Sequence, residues 1–124
     1  MRDANLQFSS LQDVSASAFS TAAVEVDKTP EAGLWVEVVV RGAVTGTSPT
    51  MDVTAYGRAA DSGWATTDRK VGVSEQITAI GRYFLKIQTD LAFVKLYYTL
   101  GGTTPVFNDV DAHVVIGPEQ DAVR

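Results

Sequence analysis

The stretch from Gly81 to Gly117 constrains this chain more than any other. It holds three apolar runs cut by two turn signals, Thr89-Asp90-Leu91-Ala92 and Gly101-Gly102-Thr103-Thr104-Pro105. Tyr83, Leu85 and Ile87 alternate with polar positions in the first run, and Val94, Leu96, Tyr98 and Leu100 do so in the second. Successive side chains of a strand point to opposite faces of its sheet, so this period of two predicts half-buried strands. Gly101-Gly102 reads as a hairpin turn, because glycine tolerates positive φ.

The same pattern recurs upstream. Val36, Val38 and Val40 oppose Trp35, Glu37, Val39 and Arg41, and Met51, Val53 and Ala55 oppose Asp52, Thr54 and Tyr56. Thr21 to Asp27 alternates too, with Ala22, Val24 and Val26 on one side. Gly42 to Pro49 reads as a polar connection. Trp64 to Val73 carries Asp68, Arg69 and Lys70, as an exposed edge strand or a loop would, and Glu75 to Ile80 reads as a short strand with Ile77 buried. The whole gives seven to nine short strands and no long helix. That predicts an all-β, antiparallel β-sandwich. Residues 1–20, with isolated Leu6, Phe8, Leu11, Val14 and Phe19, read as an extended N-terminal arm. Residues 21–117 form the sandwich and 118–124 a polar tail, within a single domain of 124 residues. Removing residues 1–11 is expected to leave a folded domain.

Composition narrows function mainly by exclusion. The net charge of -5 and the scatter of Lys and Arg speak against a nucleic-acid partner, whose phosphates call for a basic patch. No apolar run reaches the roughly 20 residues of a membrane span, and no apolar signal core follows Met1. The chain has no Cys and a single His, His113, and lacks a Gly-x-Ser-x-Gly elbow or a phosphate loop. The expectation is a protein that is not an enzyme and takes no cofactor. Asp109, Asp111 and His113, at alternate positions, are weak candidates for a metal site, against the commoner reading of a solvated polar face.

The aromatic residues carry more. Trp35, Tyr56, Phe84, Phe93 and Tyr97 fall on the nominally polar faces of their strands, with Lys86 and Lys95 beside them. Aromatics anchor protein interfaces, although they also stack in cross-strand pairs. Contact candidates are therefore these seven residues with Leu6, Phe8 and Leu11 of the arm. A sugar-stacking platform built from Trp35, Trp64, Tyr56 and Tyr97 is the competing use of the same surface.

One block of residues resembles a known family. Asp3-x-x-Leu6-x-Phe8-Ser9, Gln12-Asp13-Val14-Ser15-x-Ser17-Ala18-x-Ser20-Thr21, Val24-x-Val26-Asp27, Leu34-Trp35-Val36, Gly81-Arg82-Tyr83-x-Leu85 and Tyr98 resemble, in order, the small capsid cement (decoration) proteins of tailed bacteriophages. The middle, from Arg58 to Glu75, departs from the family pattern. The resemblance implies a jelly-roll-like fold on the outer surface of the capsid in the virion, made in the bacterial host cytoplasm. It also implies a symmetric homo-oligomer, dimer or trimer, with the major capsid protein as partner. Another virion component of the neck or tail would share the fold but differ in copy number.

Overall fold

The computed structural model describes residues 7–26 and 34–115. Every regular element among them is a strand: β1 (Gln7–Val14), β2 (Ala18–Phe19), β3 (Val24–Glu25), β4 (Leu34–Val40), β5 (Val44–Arg58), β6 (Arg69–Val73), β7 (Gly81–Ile87) and β8 (Phe93–Val115). All pairings between them are antiparallel.

The long strand β8 is flanked on both edges along its length. Phe107 lies between Val14 and Val44, Ala112 between Ser9 and Val38, and Tyr98 between Ala18 and Val53. A strand has only two edges, so β1, β2 and β3 share one and β4 and β5 share the other. β4 passes into β5 without leaving β8, through Arg41 N donating to Asp109 O and Gly42 N donating to Asn108 O.

This three-stranded ribbon is bent across its middle. Gly102 (φ 99°) and Thr104 (φ 46°) on β8 face Gly46 (φ 108°) and Ser48 (φ 48°) on β5. The register between the two strands slips here twice. A side chain at Gly102 would place its Cβ 2.4 Å from Ser48 O, so only glycine fits both the dihedral and the space. Gly101-Gly102 is therefore not the hairpin turn that its sequence suggests; Gly101 stays paired with Thr50. Likewise, Val44 to Pro49 is the first part of β5 and not a loose connection. Bulges hide the alternation that would have marked it as strand.

Bending produces two facing half-sheets. The first runs β7, β4, the end of β8, β1; the second runs β6, β5, the start of β8, then β2 and β3. Their margins touch at two seams, where Gln88 N donates to Val71 O (3.1 Å) and Ala22 N donates to Phe8 O (3.0 Å). The result is an all-β, jelly-roll-like sandwich that is nearly a closed barrel. Val36, Val38, Leu85, Ile87 and Ala112 of one half-sheet meet Met51, Val53, Ala55, Val94 and Leu96 of the other in a single core. Ile77 enters it through a bridge to Met51.

The arm needs correction. Gln7 to Val14 is a strand of the sheet, and Phe8 and Val14 are core residues. Three register shifts in this one strand, with Leu11 at φ 51°, break the period of two and left Phe8, Leu11 and Val14 looking isolated. Removing residues 1–11 would thus take Phe8 from the core. The strand expected from Thr21 to Asp27 is short, Val24–Glu25, and Asp27 lies outside the described residues, as do Leu6 and the tail 118–124.

Candidate functional site

The outward faces of the two half-sheets are closed by different chemistry. On the first, the exterior positions of β4 and β8 are buried although they point away from the core: Glu37 is 6% exposed, Asp111 5% and His113 2%. Charges in such a place must be paired. His113 Nε2 lies 2.8 Å from Glu37 Oε1, and Arg82 Nε on β7 is 3.2 Å from Glu37 Oε2. Arg41 Nε donates to Asp111 Oδ2 at 2.6 Å, and Leu11 N donates to Asp111 Oδ1 at 2.7 Å. These bonds lace β1, β8, β4 and β7 together, in their order across the half-sheet.

The three weak metal candidates are not brought together, and the solvated polar face that their spacing suggests is buried at Asp111 and His113. Asp109 sits at a bulge with φ 54°, which takes it out of the alternation with Asp111 and His113. Asp111 binds Arg41 and Leu11 N, and His113 Nε2 binds Glu37. Among the described residues no group of three His, Asp or Glu could hold a metal ion.

The second outward face is aromatic. Phe19 of β2 lies at the centre, with ring centroids 4.8 Å from Tyr97, 6.2 Å from Tyr56 and 6.5 Å from Trp64. The rings meet at 52° to 74°, edge to face for the most part, so they pack against one another and present no flat platform. Tyr56 is buried beneath them. Lys95 Nζ lies 5.6 Å from the Phe19 centroid, within range of a cation–π contact. Trp64 is held in place by its loop: its Nε1 donates to Asp61, while Arg58 Nη1 and Ala65 N both donate to Asp68.

Between the faces, Tyr98 anchors β1. Ser9 Oγ donates to Gln12 Oε1 (2.6 Å) and lies 2.8 Å from the Tyr98 hydroxyl, and Gln12 Nε2 donates to Phe19 O. Burial pushes the Tyr98 phenol well above its ordinary value, because the core has no water to solvate a phenolate.

The contact candidates therefore divide. Phe8 is fully buried and Tyr56 nearly so, which removes both as contacts; each is consumed by packing of its own chain. Tyr97 and Lys95 lie partly covered around Phe19, and Phe93 is half-buried nearby. Trp35, Phe84 and Lys86 belong to the opposite half-sheet, so the five aromatics do not form one surface. Leu11, 58% exposed, Phe84, 39% exposed, and Lys86 remain at the surface. Sequence reasoning missed Glu37, Arg41 and Arg82 as a set. Their signal was there, since Glu37 and Arg41 fall in alternation opposite to Val36, Val38 and Val40.

A shallow hollow of about 180 Å³ lies at the β1 seam, lined by Gln7, Phe8, Ser9, Ser10, Thr21 and Ala22. It is smaller than a typical ligand pocket and holds no titratable side chain. No family model and no curated protein matches the sequence.

Proposed function

We propose that this chain is a structural virion protein, a capsid cement protein that binds the outer surface of an assembled tailed-phage head and strengthens contacts between major capsid protein subunits. One observation carries the reading. Several of the described residues that resemble the cement family lie in the core or in the bonds that join strands to β8. Phe8, Val14, Val24 and Val36 are core residues. Ser9 and Gln12 join the Tyr98 network, and Ser20 N donates to Leu96 O. The resemblance thus falls on positions with a structural reason to be what they are, and the jelly-roll-like fold agrees with it.

The mechanism is mass action. A protein that binds the assembled shell but not its free subunits stabilises the shell by about 2.7 kcal/mol per site when free protein is at 100 times its dissociation constant. Repetition over a symmetric shell multiplies that gain. A standard interface of roughly 1,200–2,000 Å² in total is enough for each contact. A symmetric homo-oligomer would gain further by engaging several sites at once.

The test is cosedimentation of the purified protein with assembled shells and with free shell subunits. Saturable binding to shells alone, at a copy number that divides into icosahedral symmetry, is the expected result. Equal binding to free subunits, or none to shells, would sink the proposal.

A further inference from the structure

The seam between β6 and β7 has a chemistry unlike the rest of the chain. These two strands carry Arg69, Lys70, Arg82 and Lys86 and no carboxylate, in a protein of net charge -5. Residues paired in a sheet share a face, so Lys70 and Val73 of β6 point outward with Tyr56 and Thr54. Arg82, Phe84 and Lys86 of β7 point outward with Val39, Glu37 and Trp35. The two strands run past each other in opposite directions, with Val71 against Gln88 and Gly72 against Lys86. That register sets Val73 opposite Lys86, with Phe84 the next outward residue along β7. The outer surface of the seam is an apolar strip, Val73 and Phe84, set among three cations.

Two features mark this strip as more than a protected edge. Charge alone would blunt an edge strand, and Lys or Arg at its margins is the usual means. Here Val73 is 61% and Phe84 39% exposed between those charges, which defeats that purpose. The outer backbone edge of β7, moreover, makes no backbone hydrogen bond across the seam from Gly81 to Leu85 among the described residues; Gly72 packs on Lys86 O, and the seam hydrogen bond is made by Gln88.

We infer that the β6–β7 seam is a docking surface for an extended acidic segment of a partner protein. Apolar side chains of that segment would cover Val73 and Phe84, and its carboxylates would meet Lys70 and Lys86, since Arg82 is already paired with Glu37. Charge complementarity selects this occupant: a second copy of the chain would bring the same cations to the seam, and a nucleic acid would leave the apolar strip uncovered. The inference does not depend on the capsid reading, and it can be tested without shells.

The experiment is an NMR titration of the isotope-labelled full chain with a twelve-residue peptide of alternating Glu and Val, and with its Lys-for-Glu counterpart. The acidic peptide is expected to perturb amides of β6 and β7, with affinity falling as salt rises, and the basic peptide is expected to leave them unchanged. Phe84→Ser and Lys86→Glu each should weaken binding about tenfold or more. Both side chains are exposed, so an unchanged melting temperature separates lost binding from lost fold. Equal response to both peptides, perturbations centred elsewhere, or full binding by folded Lys86→Glu overturns the inference. So does sedimentation showing that the seam is already covered by a second copy, with dimerisation abolished by Phe84→Ser.

Discussion

The outward faces of the two half-sheets solve one problem in opposite ways. Both carry side chains that alternation assigns to solvent, and both bury them. The β4–β8 face does so with paired polar and charged groups, Glu37 with His113 and Arg82, and Asp111 with Arg41. The β5–β8 face does so with rings gathered around Phe19. The difference lies in how each tolerates loss. A ring cluster degrades by degrees, because each contact is worth roughly 0.5–1.5 kcal/mol beyond its area. A buried ion pair fails abruptly, because removal of one member strands the other without water.

The largest expected effect follows from that contrast. Glu37→Ala leaves the imidazole N–H of His113 facing a void and should cost about 3–5 kcal/mol. Denaturation in urea at neutral pH measures it, and the cost should barely change between low and moderate salt, since the pair is almost fully enclosed. A loss below 1 kcal/mol would mean that the ions do not close this face. The isosteric double replacement of Glu37 and His113 by apolar residues should recover much of the loss, because a buried hydrogen-bonded pair exchanged for packed side chains of the same shape is often nearly neutral.

Next in size is the aromatic face. Phe19→Ala removes the ring that touches Tyr56, Tyr97 and Trp64, and should cost about 2–4 kcal/mol, at the low end of Phe truncations because Phe19 is only half-buried. A double-mutant cycle of Phe19 with Tyr97 should return a coupling of about 1 kcal/mol. A coupling near zero would show that the rings only fill space. Lys95→Met, which removes the cation above Phe19, should cost less than 1 kcal/mol.

How far the sequence reveals this fold depends on where the chain bulges. β4, β7 and the first half of β8 keep strict register, so their inward residues, Val36, Val38, Leu85, Ile87, Val94, Leu96 and Tyr98, were legible from period two alone. Where residues enter the left-handed region, at Leu11, Ser48, Thr104 and Asp109, the alternation slips, and the strand looked like an arm, a loop or a turn. The surface was less legible for a different reason. Alternation says which side of its own sheet a residue faces, but not what lies over that side. Nothing in the spacing of Tyr56 and Tyr97 announces that Phe19, some 40 residues from one and further from the other, closes over both. The single His read as a structural or solvated residue, yet its burial and its pairing with Glu37 required the register of β4 against β8.

An effect of similarly small size belongs to the residue that joins the two faces. Tyr98 lies in the core between them, with its hydroxyl on Ser9 of β1. Burial raises its proton affinity in the folded state, with the charge of Asp111 adding to the effect, while in the unfolded chain the phenol titrates near 10. The folded protein then binds one proton more than the unfolded chain above that pH. Its contribution to stability is fully present below about pH 10 and is lost as pH rises further, at about 1.4 kcal/mol per pH unit. Tyr98→Phe should cost roughly 1 kcal/mol at pH 7, for one lost hydrogen bond, and should remove that alkaline slope. Stability measured between pH 8 and 11 would therefore show the two proteins converging as pH rises. Parallel curves would mean that the hydroxyl reaches solvent and that β1 is not held to the core by this bond. The difference between the curves isolates Tyr98, because every other titrating group is common to both proteins.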